Sequence, residues 1–231
     1  MKKITIMAFA SILMIAGCSS GGSSSNKELD TTSTNSVLVQ SLEETNDDII
    51  VTKENYRDFP VSNEENFAFI LKDGEYWIES CNSKDKVIVV PEKVKGTIVV
   101  GLLEQSMGLL DCEAIVLPDS IKTIDSGAFV SDEKMKYIYL GQSLETIGAQ
   151  AFTGCTSLSE IYFPKTMKNI ELCTPANGKN ITDIYIPAGA DNITSLGFKE
   201  GLPNMVVHTP SGSVAEQMAI EAGFEVKNDY E

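Results

Sequence analysis

Side chains able to do acid–base or nucleophilic chemistry are few in this 231-residue chain, and their spacing limits what they can be. His208 is the one histidine, and no motif sets a serine or cysteine beside it. It lies in the strand-like run Val206-Val-His-Thr209 at a position expected to face the core, so it reads as a structural histidine. Cys81, Cys112, Cys155 and Cys173 lack the C-x-x-C spacing that closes a zinc site. Cys112 and Cys155 fall in apolar columns and behave as small hydrophobes. A Cys81–Cys173 disulfide stays open in an exported chain. Carboxylates abound, but no spacing singles out a pair for glycoside hydrolysis. Asn46-Asp47-Asp48 lacks the alternating oxygens that wrap calcium, and the glycines are scattered rather than gathered in a phosphate loop. Asn180-Ile-Thr and Asn192-Ile-Thr are sequons by pattern only. These residues point to no metal, no cofactor and no catalytic centre.

Composition narrows the partners. Acids outnumber bases 33 to 18, giving a net charge of −15, and only one base is an arginine. A phosphate backbone needs clustered cations to release its counterions, so nucleic acid is excluded as a partner. At 42% hydrophobic and 22% charged, the chain can still build a core.

The first residues read as an address. Lys2 and Lys3 precede an apolar run from Ile4 to Ala16, too short to span a bilayer and suited to a secretory signal. Ile15-Ala16-Gly17-Cys18 resembles the lipobox of bacterial lipoproteins. The resemblance implies that Cys18 is lipidated and becomes the first residue after cleavage. The chain would then sit in the bacterial cell envelope, lipid-anchored and extracytoplasmic. Residues 1–17 are thus the signal, and 18–48 a Ser/Gly-rich and acidic linker. Ile49-Ile50-Val51 is expected to be a short strand, followed by a turn that Thr52 caps through Asn55-Tyr56.

The elements that position any site come from a repeat. Ile88-Val-Val-Pro91, Ile115-Val-Leu-Pro118, Ile138-Tyr-Leu-Gly141, Ile161-Tyr-Phe-Pro164 and Ile184-Tyr-Ile-Pro187 recur, and Val206-Val-His-Thr209 closes the series. The spacings are 27, 23, 23, 23 and 22 residues. Other apolar columns keep register: Ile121, Leu144, Met167 and Ala190; Ile124, Ile147, Ile170 and Ile193; Phe129, Phe152 and Phe198, with Pro175 as the exception; and Cys112, Met135, Leu158 and Ile181 ahead of the units. Such units bury their apolar faces only by stacking, each giving one strand to a parallel sheet. The pattern, clearest in Leu144-Glu-Thr-Ile147-Gly-Ala-Gln-Ala-Phe152-Thr-Gly-Cys155-Thr-Ser-Leu158-Ser-Glu-Ile161-Tyr-Phe-Pro164, resembles the BspA-type leucine-rich repeat of bacterial surface proteins. It implies a repeat solenoid with a short parallel β-sheet on one face and irregular or short strands opposite. Leu172-Cys173-Thr174-Pro175 departs from the pattern and predicts an irregular loop.

Both ends look capped. Residues 49–86 form an N-terminal segment ending in a hairpin, Phe67–Leu71 and Glu75–Ile78, across Asp73-Gly74. Repeats fill 87–212. In 213–231, Ser213 and Glu216 make a capping box for a helix that Gly223 stops, with Val214, Met218 and Ala222 toward the last rung, and Phe224–Val226 adds a strand. Capped ends are consistent with a monomer.

The outer face of the strands offers the candidate site. With Ile138 inward, Tyr137 and Tyr139 turn outward, as do Glu160 and Tyr162, Asp183 and Tyr185, Ala114 and Val116, and Val87 and Val89. Tyr139, Tyr162 and Tyr185 therefore form a ladder flanked by acids, suited to a protein or glycan ligand. The resemblance implies adhesion to host or matrix proteins. Polysaccharide capture, an envelope hydrolase on a repeat scaffold and a ligand-free structural spacer remain as alternatives, and the ladder also suits a purely stabilising stack.

Overall fold

The computed structural model describes residues 50–171, 180–196 and 202–231. Cys18, Ile49, Cys173, Pro175 and Phe198 lie outside these residues, as does the predicted irregular loop at 172–175.

The chain enters with β1 (Phe67–Lys72) and β2 (Glu75–Cys81), an antiparallel hairpin. Asp73 and Gly74 both take positive φ, 52° and 84°, which matches the strand twist and explains the Asp-Gly pair. β3 (Val87–Val89) follows, then β4 (Lys93–Val94) and β5 (Thr97–Leu102), a second hairpin across Lys95-Gly96. That insertion accounts for the longer 27-residue first spacing.

From there the strands come in pairs, one pair per rung. These are β6 (Ala114–Val116) with β7 (Thr123–Ile124), β8 (Tyr137–Tyr139) with β9 (Thr146–Ile147), β10 (Glu160–Tyr162) with β11 (Asn169–Ile170), and β12 (Asp183–Tyr185) with β13 (Asn192–Ile193). β14 (Val206–His208), the helix α1 (Val214–Glu221) and β15 (Glu225–Lys227) end the chain. Each rung thus gives two strands to two different parallel ladders rather than one, because the Thr-Ile and Asn-Ile dipeptides also pair rung to rung. Ile50 and Val51 form no strand.

The sheet of two-residue strands runs without a break, β1-β2-β5-β7-β9-β11-β13. The other face consists of two sheets, β3-β6-β8 and β10-β12-β14-β15. Between the faces lies the core. Its columns Ile115, Ile138, Ile161, Ile184 and Val207 and Ile121, Leu144, Met167 and Ala190 are buried, and Phe129 stacks on Phe152 with centroids 5.3 Å apart. Cys112 and Cys155 are buried free thiols, and Cys81 is free and half-buried. Burial pushes the Cys155 thiol up to about 12, which leaves it inert as a nucleophile. Lysines pair with the carboxylate one rung back, Lys134 with Asp111, Lys136 with Glu113 and Lys168 with Glu145, at 2.6–2.8 Å.

Two further elements differ from the sequence reading. The helix buries Ala215 and Ala219 with Met218 against the core, and Val214 and Ala222 are exposed. The small alanines let the helix sit close to the last strands, turning the packed face by one residue. Its ends are as expected: Ser213 Oγ accepts from Glu216 N–H, and at the C-terminus Phe224 N–H donates to Ala219 O and Gly223 N–H to Ile220 O. The Glu216 carboxylate reaches Gly212 N–H, one residue before the cap.

His208 is the second difference. Val207, not Val206, pairs with Ile184, so the closing spacing is 23 and His208 falls in register with Tyr185. A one-residue slip exchanges the faces of a strand. His208 therefore lies in the outward tyrosine column instead of the core-directed one.

Candidate binding cleft

The outward face divides into a covered half and an open half. On β3 and β6 it is apolar, with Val87, Ala114 and Val116 buried. The cover is the segment before the hairpin, residues 50–62, laid over the strands as a strap. Val51 is buried there, and Tyr56 and Phe59 pack beside it in an apolar cluster separate from the main core. Asn55 Oδ1 accepts from Thr52 N–H at 2.8 Å and Tyr56 N–H donates to Thr52 O, which turns the strap as expected. Ser62 fixes its far end on the edge of β3, donating its N–H to Val89 O and accepting from Val89 N–H.

Tyr137 takes part in this cover, its ring stacked on Tyr56 at 5.4 Å. Beyond it the ladder of β8 is not continued. Lys136 N–H donates to Glu113 O and Leu117 N–H to Tyr139 O on one side, and Thr182 N–H to Ser159 O and Phe163 N–H to Tyr185 O on the other. Among the described residues no such bonds join β8 to β10. Two tyrosine hydroxyls instead meet carbonyls on either side of the split. Tyr56 Oη donates to Ile138 O at 3.5 Å, and Tyr230 Oη to Phe163 O at 2.7 Å.

Gly141 stands at the end of β8 where the other rungs carry proline. Its φ is 73°, and a Cβ there would lie 2.5 Å from Pro118 O, so only glycine fits the turn. The split opens a cleft of about 450 Å³ whose walls include Tyr56, Tyr139, Tyr162 and Tyr230. This size suits a small-molecule or oligomer subsite.

The expected tyrosine ladder is thus two arrangements. Tyr162 and Tyr185 stack at 4.0 Å, and His208 continues the stack at 4.2 Å from Tyr185. Tyr139 is across the split: its hydroxyl donates to Asp119 at 2.8 Å and accepts from Gln142 Nε2 at 3.1 Å, and Arg57 lies 5.1 Å above its ring. Tyr162 is 40% exposed, and Tyr137, Tyr139 and Tyr185 are half-buried. Glu160 pairs with Lys53 of the strap and accepts from Tyr162 Oη at 2.8 Å. Burial alone would raise the Glu160 carboxyl, but the hydrogen bonds from Lys53 and Tyr162 outweigh it and hold the group below its ordinary value. Asp183 likewise ends below its ordinary value, burial being outweighed by Thr182 and His208. Burial and the contact with Tyr162 raise the Tyr185 phenol, so that hydroxyl stays neutral.

The ring nitrogens of His208 lie 2.8 Å from Asp183 and 2.6 Å from Asp229, both carboxylates, and neither faces a hydroxyl or thiol nucleophile. The arrangement holds the end of the chain against β14. It gives no triad.

Arg57, Lys53, Tyr56 and Tyr230 escape sequence reasoning because they lie outside the repeat, and Lys165 because its place in the repeat belongs to no apolar column. One signal was present: apolar residues turned outward on β3 and β6 require a cover.

The repeat region decides the family. Residues 107–207 match the BspA type Leucine rich repeat region in six copies. Residues 107–207 are a BspA-type leucine-rich repeat region. This BspA-type array resembles the leucine rich repeat protein of T. pallidum in fold, with a TM-score of 0.53 at 18% identity over 74% of this chain and 100% of that one. A leucine-rich repeat protein from Bacteroides capillosus is 23% identical, with a TM-score of 0.41 over 47% of this chain and 87% of that one. A leucine rich cell surface protein from Faecalibacterium prausnitzii is 17% identical, with a TM-score of 0.44 over 66% of this chain and 55% of that one. No curated protein matches the chain in sequence.

Proposed function

We propose that this BspA-type protein is a lipid-anchored, extracytoplasmic protein of the bacterial cell envelope that binds a protein or glycan through the face around Tyr139, Tyr162 and Tyr185. The observation that carries the reading is the cleft at the split between β8 and β10, where aromatic walls and a charged rim are left uncovered beside a sealed array. Flat rings with hydroxyls at their edges offer apolar area and hydrogen bonds together. The contacts of His208 favour a binding protein over an enzyme, since its carboxylate partners use both ring nitrogens in tying down the chain. The lipobox-like Ile15-Ala16-Gly17-Cys18 supports the anchor.

Changing Tyr139, Tyr162 and Tyr185 together to Ser should abolish binding of the partner found by a matrix-protein and glycan screen. Ala at Thr123, Thr146 and Asn169, on the other sheet, should leave binding intact. A partner that ignores the tyrosine change but fails on this control would place the functional face on the other sheet. Cys18→Ser should move the protein out of the membrane fraction, and fatty acid still attaching to that variant would refute the anchor.

A further inference from the structure

The cleft gathers cations in a chain that has few to spare. Lys53, Arg57 and Lys165 line it, against one acidic residue, Glu231, in a protein of net charge −15. Elsewhere in the array Lys134, Lys136 and Lys168 are neutralised by the carboxylate one rung away. Lys53 is neutralised too, by Glu160. Arg57 and Lys165 are not: among the described residues neither forms an ion pair or a hydrogen bond with another group of the chain. Both are exposed at the mouth of the cleft.

The Arg57 guanidinium lies over the ring of Tyr139, so one of its faces is taken up. Its N–H edge remains available, and that fork matches a carboxylate with two parallel hydrogen bonds. Lys165 follows β10, and Arg57 belongs to the strap, so the two charges approach the cleft from separate elements. Tyr56, Tyr139, Tyr162 and Gln142 share the lining of the cleft with them. Rings edged by hydroxyl and amide groups suit a flat, polyhydroxylated ligand whose own ring faces are apolar.

We infer that the cleft takes a carboxylated saccharide, such as a uronic or sialic acid unit, with its carboxylate on Arg57 and Lys165 and its ring against the tyrosines. The inference rests on the proposed binding face and names the ligand class for it. An acidic peptide would satisfy the cations but would make less use of the ring walls.

Titration of the full chain with oligogalacturonate, a hyaluronan fragment and sialyllactose tests the inference, with neutral galactan fragments and poly-glutamate as comparators. At least one carboxylated sugar should bind, and neutral galactan should bind roughly tenfold more weakly, as loss of a charge-assisted pair implies. Arg57→Gln and Lys165→Gln should each weaken the sugar and make its binding less salt-dependent. Lys165→Gln lies outside the strap, so it reports on charge even if Arg57→Gln loosens that segment. Equal binding of galactan, lost in the tyrosine variant, would overturn the carboxylate inference while leaving the tyrosine face standing. Poly-glutamate binding without any sugar would overturn the saccharide. Sugar binding indifferent to both the cation and the tyrosine variants would overturn this inference and the proposed face together.

Discussion

The two faces of the solenoid are made by the same repeats, yet one is sealed and the other splits. On the sealed face the outward column is small and polar. Asn169 Nδ2 donates to Thr146 Oγ1 at 3.0 Å, and Asn192 Nδ2 to Asn169 Oδ1 at 2.9 Å, so each rung satisfies the next. On the split face the outward column changes along the array, from Val and Ala to Tyr and then His, and segments from outside the repeat cover part of it. Regular side chains close a solenoid, and departures from the repeat leave surfaces for something else to fill. The candidate site lies at such a departure.

The core shared by both faces should give the largest effect. Phe152 is fully buried against Phe129, so Phe152→Ala should cost about 3–5 kcal/mol, as aromatic core truncations do. Lys165→Ala, at the mouth of the cleft, should cost under about 0.5 kcal/mol. Denaturant melts of the two variants make the comparison, and equal midpoints would mean the columns are misassigned.

Next in size is a pH effect from the sealed part of the structure. Asp132 is fully buried; its Oδ1 accepts from Leu110 N–H at 2.6 Å and its Oδ2 has no partner. Burial pushes the carboxyl up to about 8, although the Leu110 hydrogen bond works the other way. The folded state therefore holds a proton that the unfolded chain releases near pH 4, about the ordinary carboxylate value. Stability from this group is present below that pH and falls as pH rises toward about 8, by on the order of a few kcal/mol. Melting temperatures measured across that window should fall, and the slope should flatten in Asp132→Asn. Parallel curves for the two proteins would remove Asp132 as the source.

Smaller effects bear most directly on the comparison. Tyr56→Ala removes a half-buried ring from the strap and should cost about 1–2 kcal/mol by the area it covers. Hydrogen exchange should then rise in residues 50–62 and in β8, with the sheet of two-residue strands still protected. Asn169→Ala should cost less, about 0.5–1.5 kcal/mol for a hydrogen-bonded side chain, with no change at the cleft. If Tyr56→Ala instead loosens both faces together, they are not independent.

Much of this architecture is legible in the sequence because it is local or periodic. The buried columns follow from spacing alone, the first hairpin from Asp73-Gly74, and the helix ends from Ser213 and Gly223. The strap is not legible, since Tyr56 and Tyr137 meet across 81 positions and no period relates them. Nor is the split, which depends on how two chemically similar rungs, Tyr137–Tyr139 and Glu160–Tyr162, sit against one another. His208 shows the sensitivity of a short strand: counting 22 residues from Ile184 to Val206 instead of 23 to Val207 reverses its face.

The strap and the chain end also measure the array. Val51 covers β3 and β6 while Lys53 reaches Glu160 on β10; from the other side Asp229 holds His208 and Tyr230 reaches back to Phe163. A solenoid ordinarily lengthens by duplication of a unit, and a further rung of 23 residues would fit either ladder, adding roughly 4.8 Å. Here an added rung between β3 and β10 would carry Glu160 out of reach of Lys53, and one between β10 and β14 would separate Tyr230 from Phe163. The two tethers work as rulers that end at the same cleft. They give an otherwise extensible fold a fixed length.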